Sequence, residues 1–381
     1  MTPLRSPISG RVLTPDTPHS LVCEGERWPV VEGIPYLRTD SEGLVAVALD
    51  HLDARCPDDA LVALLTDQDA WWTGPATDLG ELKRLVRERD TLTLREAMAL
   101  LRLGPVADYF AYRWVDPTYL AGLALLEAHW NAPATAFELA CGIGHYLREL
   151  GRRGVACTGA DVVFAKCWLA KNWVAPDAEY VVFDAGGRWP VADARYDLIM
   201  CHDAFYFLPE QDHAAAMLRS IQAQNGVLAV SHVHNADFDG KQKGPAVPLA
   251  TLSRSFPDAL AYNERDLLVN MLSDLPPAWT PLFIDDEPNA DVEVFSLIEG
   301  DAQPARRLTG GLTMPVVGAT LDRNPLLGEV PGREHARWPS TRYRDEYGTD
   351  CFWAAADHEL WPSMKRDAVR LRRLVDLPER W

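Results

Sequence analysis

Four short stretches carry side chains able to do chemistry at spacings that belong together. The first is ELACGIGHYLREL, Glu138 to Leu150: an apolar run closing on a carboxylate, then Ala140, Cys141, Gly142, one residue, Gly144, and a helix-like tail. Glycines let such a turn pass close to a ligand while the next helix presents free N–H groups, although a lone G-x-G suits any strand-to-helix turn. The second is Asp161-Val162, 19 residues after Gly142, where an acidic side chain can accept both hydroxyls of a ribose. The third is Phe183-Asp184-Ala185, and the fourth Cys201-His202-Asp203. A dinucleotide site would carry a third glycine where this chain has Leu147. Without it, and with acidic groups at successive strand ends, the set favours a cation bearing a ribose, such as a sulfonium nucleoside, over a diphosphate.

A hydroxyl or ammonium nucleophile must lose a proton, and histidine is the natural base near neutral pH. His145, His202, His232 and His234 all fall near expected strand ends. His232 and His234 share a strand parity and should face one side, with Asn235 beside them to fix a tautomer or hold substrate. His145 either caps the glycine turn or faces cofactor or substrate. For His202 and Asp203, lining a cofactor competes with acid–base work, and Cys141 reads as packing. A metal site from His232, His234 and Asp203 lacks a carboxylate-rich motif, so no metal is expected. Phe205-Tyr206-Phe207 reads as part core and part pocket wall, and DQDAWW, residues 67–72, as a solvated acidic face with two packed tryptophans.

These stretches need elements to position them. After Pro133 strands and helices alternate: AFELA, HYLRELGRRG, CTGAD, VFAKCWLAKNWV, EYVVFDA, YDLIMCH, PEQDHAAAMLRSIQAQN up to Asn225-Gly226, and GVLAVSHVHN. That rhythm predicts a doubly wound, Rossmann-like α/β sheet with helices on both faces and ligands at the carboxyl ends of the strands. AWTPLFI and DVEVFSLI read as a closing antiparallel hairpin that brings the sheet to seven strands. Upstream, short strands and turns fill the first forty residues, and helical periodicity runs from Leu44 to about Trp130. In it, Thr91 or Thr93 caps a helix that stops at Gly104, and Asp116-Pro117 opens another. The tail ends in the helix MKRDAVRLRRLVDL.

The ordered series Glu138-x-x-Cys141-Gly142-x-Gly144, Asp161, Asp184-Ala185 and DLIMCHDAFYFLP resembles that of class I S-adenosylmethionine-dependent methyltransferases, over roughly residues 132–300. The resemblance implies S-adenosylmethionine as cofactor and S-adenosylhomocysteine as product. It implies that Glu138, Ala140, Cys141, Gly142, Gly144, His145 and Tyr146 flank the methionine part. Asp161 would hold the ribose and Asp184 the adenine amino group, with Val162, Phe183 and Ala185 also at the cofactor, and His202 and Asp203 would line the methyl-transfer mouth. Tyr109 and Arg113 lie where this family folds a helix over the cofactor, and Arg113 would hold its carboxylate. Residues 1–40 resemble a small zinc ribbon that precedes some methyltransferases. Its four ligand positions read Ser6, Ser9, Cys23 and Glu26, a set unsuited to zinc, so the expectation is a ribbon that keeps its fold without metal. The implied organisation is this module, a helical region over the cofactor at 41–131, a core at 132–300 with a lid insertion at 236–276, and a C-terminal extension at 301–381.

Composition limits the partners. The 381 residues carry a net charge of −18 with no basic run, which speaks against nucleic acid, and no apolar stretch spans a bilayer. The start lacks the apolar region of a signal peptide, and the seven cysteines form no C-x2-C pair, as in a reduced, cytoplasmic protein. The favoured function is methylation of O or N on a small molecule of specialised metabolism, with proton removal assisted by His202, His232, His234 or Asp203. Alternatives are a non-methylating reaction such as a cyclisation on the same fold, rRNA or tRNA methylation, and a non-catalytic partner subunit; a homodimer or a partner protein stays open.

Overall fold

The structure is a computed structural model that describes residues 3–69, 72, 74–241, 244–273, 276, 289–301, 305–330, 333–348 and 365–381. The N-terminal strands β1 (Thr14–Thr17), β2 (Ser20–Cys23), β3 (Glu26–Val31) and β4 (Ile34–Pro35) form an antiparallel meander. The positions likened to zinc ligands meet in space. The Ser6 hydroxyl donates to Glu26, the amides of Ile8 and Ser9 donate to Ser6 Oγ, and Ser9 Oγ lies 3.7 Å from Cys23 Sγ. Hydrogen bonds among polar groups thus tie the N-terminal turn to the β2–β3 hairpin.

Helices α1 (Glu42–Asp53), α2 (Pro57–Leu64), α3 (Leu79–Glu88), α4 (Leu94–Leu100), α5 (Pro105–Tyr112) and α6 (Pro117–Ala128) follow, and α7 (His145–Gly151) and α8 (Phe164–Leu169) come between the first strands of the central sheet. Thr93 caps α4 in a reciprocal pair with Glu96, and Asp116 caps α6. Gly104 ends no helix; it sits at φ 58° at the entrance to α5, where Pro105 opens the next turn. Helix α6 is buried along its whole length, because it lies between the sheet and the C-terminal segment.

The central sheet runs β10-β11-β9-β8-β5-β6-β7, with β5 (Thr135–Leu139), β6 (Ala156–Asp161), β7 (Glu179–Val182), β8 (Tyr196–His202), β9 (Gln222–His234), β10 (Leu260–Asn263) and β11 (Val294–Glu299). Strands β5 to β9 are parallel and β11 is antiparallel to both of its neighbours. The order reverses between β5 and β8, which opens a crevice beyond their carboxyl ends. Buried aliphatic and aromatic side chains cover both faces of the sheet.

Three further expectations change. The outer partner of β11 is β10, drawn from the expected lid, whereas residues 278–284 lie outside the described residues. The remainder of that insertion adds α10 (Leu249–Ser255) and α11 (Glu264–Ser273). Helix α9 (Gln211–Ser220) stops five residues before Asn225, since the chain is already paired in β9 from Gln222. The tail is helical over Lys365–Arg370, then turns at Arg372 and pairs Leu374–Val375 with Asp322–Arg323. The N-terminal module extends the sheet: Tyr36 bridges Val182 in parallel and the Leu37 amide donates to its carbonyl. No helix among the described residues is long and apolar enough to cross a membrane.

Candidate cofactor and acceptor site

Beyond β5 the chain turns through left-handed conformations at Ala140, Gly142 and Gly144, and Gly144 opens α7 (His145–Gly151). A Cβ on Gly142 would meet the Phe110 ring of α5 at 3.0 Å, so this helix closes directly over the turn. Asp161, at the end of β6, accepts the Gly142 amide on one oxygen and the Val163 amide on the other, both at 3.0 Å. Each carboxylate oxygen retains a lone pair for a further donor. Lys166 lies 3.4 Å from Asp161 and 3.3 Å from Asp69, and burial, which would lower its pKa, is outweighed by those two carboxylates.

Arg38 reaches the Val162 carbonyl at 3.2 Å and pairs with Asp67 at 2.9 Å. Asp67 is therefore a buried ion-pair partner, not part of a solvated face, and Trp71 lies outside the described residues. Asp184 accepts the Gly186 amide at 2.9 Å. Phe183 packs on Trp189, whose indole donates to the Ala185 carbonyl, so Asp184 is the side chain of this trio that reaches the surface.

Glu138 is 3 % exposed, and its Oε2 has no hydrogen-bond partner among the described residues. Burial, and after it the Asp161 carboxylate, hold its carboxyl well above the usual range despite the opposing charge of Arg113. Burial likewise pushes up the Cys141 thiol, which leaves it inert. His145 bonds the Phe110 carbonyl at 2.9 Å and packs on Trp114 with ring centres 4.5 Å apart. It ties α7 to α5. Tyr146 donates to the Tyr119 carbonyl and lies on His202, ring centres 4.3 Å apart.

Asp203, just past β8 and at φ 54°, is the hub of a buried polar cluster. It accepts the hydroxyls of Tyr109 at 2.8 Å and of Tyr206, and Arg113 lies 3.1 Å away. Arg113 also bonds Thr118 through the same Nη1 and stacks on Tyr109, which holds one end of its guanidinium in this cluster. Burial would raise the Asp203 carboxyl, but His232, Arg113 and the two tyrosines outweigh it and hold it below the usual range. A β-bulge opposite Ser296 lets Ser231 and His232 reach the same side. Ser231 Oγ meets His202 Nδ1 at 2.5 Å, whereas His202 Nε2 has no partner among the described residues.

His232, at φ 57°, bonds Glu264 at 2.7 Å and stands 3.7 Å from Asp203. Burial would lower its pKa; Glu264 and Asp203 outweigh that and raise it to about 9. The two carboxylates thus favour the protonated form of His232. Burial and then Arg113 lower His145 and His202 to about 3, so both are neutral and weakly basic. His234 is buried with its ring centre 4.8 Å from that of His232 and 5.3 Å from that of Tyr206. Asn235 is spent on structure: its amide donates to the carbonyls of Asn289 and Val292. Phe205 is core, stacked on Phe256, and Phe207 is 39 % exposed at the rim.

Glu264 was not foreseen. It begins a helix 32 residues beyond His232, and no local pattern links the two. Lys166 was missed for a similar reason: a lysine two residues into a helix reads as surface until the turn of Asp161 is built around it.

The fold and this site define a class I arrangement of glycine turn and acidic strand ends. Residues 137–230 match the family model described as a methyltransferase domain. The segment is a methyltransferase domain, and S-adenosylmethionine is the cofactor such a domain uses. Among solved structures, the chain is similar to a TehB-like SAM-dependent methyltransferase from Corynebacterium glutamicum, at 19% identity and a TM-score of 0.35, over 47% of this chain and 85% of that one. It is also similar to the plantazolicin methyltransferase BamL in complex with a triazolic desmethylPZN analog and SAH, at 10% identity and a TM-score of 0.36, over 51% and 90%. No curated protein matches the chain.

Proposed function

We propose that the protein transfers a methyl group from S-adenosylmethionine to a small-molecule acceptor bound at the carboxyl ends of β8 and β9. The residues present suit the cofactor. A turn opened by Gly142 and Gly144, a buried Glu138 carboxyl with one oxygen unpartnered among the described residues, and Asp161 at the next strand end make a cradle for a cationic ribonucleoside. Asp161 would take the ribose hydroxyls, Asp184 the adenine amine and Glu138 the methionine end. The cofactor supplies an electrophilic methyl on a sulfonium, and in-line displacement asks the protein mainly for alignment and exclusion of water.

The single observation that carries the acceptor reading is the Asp203 cluster. Tyr109, Tyr206, Arg113 and His232 converge on one carboxylate beside the glycine turn, under aromatic walls that include Tyr347. A carboxylate so fully hydrogen-bonded is a poor base, so we assign Asp203 and His232 to holding the tyrosines in place. His234, beside Tyr206, is assigned the acceptor's proton. Isotope transfer from labelled methyl into small acceptors tests the reaction. His234→Ala should lose turnover and keep cofactor affinity; normal turnover would move the base elsewhere.

A further inference from the structure

Residues 67–69 are fastened at both ends to the carboxyl end of β6. On one side Arg38, 6 % exposed, pairs with Asp67 at 2.9 Å and donates to the carbonyls of Gln68 at 3.1 Å and Val162 at 3.2 Å. On the other, the Lys166 ammonium donates to Asp69 at 3.3 Å and stands 3.4 Å from Asp161 Oδ1. Asp161 and Val162 are neighbours, so two cations from separate elements tie one short segment to the strand end assigned to the cofactor ribose.

Lys166 is the half of this clasp that bears on the cofactor. It belongs to α8, whose other five residues are buried and apolar, and its own side chain is only 21 % exposed. Burial works against the charge of such an ammonium, yet Asp161 and then Asp69 more than offset it. Asp161 in turn is 4 % exposed, and each of its oxygens takes one backbone amide, from Gly142 or Val163. Those amides orient the carboxylate but carry no net charge. The countercharge that a buried carboxylate needs comes from Lys166. An ionised carboxylate is an acceptor only, and a protonated one gives up part of that capacity.

We propose that Lys166 is a positioning residue for the cofactor: it keeps Asp161 an acceptor for both ribose hydroxyls, and through Asp69 it draws residues 67–69 against the ribose half of the site. The inference rests on the cofactor reading above and adds to it a residue that acts through Asp161. A merely structural ion pair would affect all ligands of the crevice alike. Lys166 acting through Asp161 must matter in proportion to the ribose hydroxyls.

The test uses the full chain, with S-adenosylhomocysteine and its 2′,3′-dideoxyribose counterpart as calorimetric probes. In the wild type, loss of both hydroxyls should weaken binding at least about tenfold. Lys166→Met keeps a long stem and removes the charge. It should bind S-adenosylhomocysteine about tenfold more weakly and separate the two probes by only about threefold, the coupling expected of groups in one network. Asp69→Asn alters a half-buried group and spares the contact between Lys166 and Asp161. S-adenosylhomocysteine should slow amide exchange over residues 67–69 about tenfold in the wild type, and Asp69→Asn should lose that protection. This second arm decides the matter if Lys166→Met does not fold. Failure of S-adenosylhomocysteine to bind the wild type would overturn the cofactor reading and this proposal together. Wild-type binding with an undiminished gap between the probes in Lys166→Met, or with no protection of residues 67–69, would overturn this proposal alone.

Discussion

The ring of His232 lies between Glu264 and Asp203 and titrates at about 9, above the usual histidine value near 6.5. Folding therefore favours its protonated form. The resulting stability is complete below about pH 6.5 and is lost as pH rises through about 9. Replacing Glu264 by Gln removes the nearer carboxylate, so urea unfolding of Glu264→Gln should show a flatter decline between pH 6.5 and 9 and a stability at pH 6 lower by on the order of 2 kcal/mol. His145 and His202 act at the other side: their values near 3 mean that folding excludes the proton. Their contribution is present above about pH 6.5 and is lost as pH falls from there toward 3. The wild-type stability curve should thus fall on both sides of neutrality. The strand-end positions of His202, Asp203 and His232 were legible, because alternation and turn residues mark where strands stop. Their protonation was not, since it depends on Glu264 and Arg113, which the chain brings in from distant helices.

Among the elements, α5 closes over the glycine turn and a C-terminal loop closes on α6. Phe110 of α5 lies on Gly142, whose φ of 53° disfavours any side chain. Gly142→Ala should cost about 1–2 kcal/mol in stability and reduce cofactor affinity at least about tenfold, as read by chemical unfolding and calorimetry. A larger clamp joins the C-terminal extension to α6. Glu127 accepts the amides of Thr309, Gly310, Leu312 and Thr313 and the Thr313 hydroxyl. Burial would raise its pKa, but these donors outweigh that and hold the carboxylate low. Glu127→Ala should leave buried amides without an acceptor, lower stability by about 2–3 kcal/mol and speed amide exchange over residues 309–313. The helices of residues 41–131 were readable from spacing and caps, Thr93 and Asp116 among them. The loop at 309–313 carried no signal, because a bend built around one distant carboxylate leaves no periodicity in the sequence.

At the scale of the whole molecule, the N-terminal module, the helical cover and the C-terminal extension all press on the methyltransferase sheet. Tyr36 continues its edge beside β7, Arg38 holds the Val162 carbonyl, and Trp381 donates to the Ala111 carbonyl of α5 at 2.8 Å. The alternating pattern of residues 134–234 foretold the parallel strands, since buried strands and their helices differ in period. It misplaced the strand beside β11: Leu260–Asn263 is too short and too plain to be told from the loop around it. The central claim is that S-adenosylmethionine lies on the glycine turn with its ribose on Asp161. Calorimetric titration of S-adenosylhomocysteine into the wild type and into Asp161→Asn addresses it directly. The account predicts one site per chain in the wild type and an affinity at least about tenfold weaker in the variant; no binding to the wild type, or equal affinity in both, would contradict it.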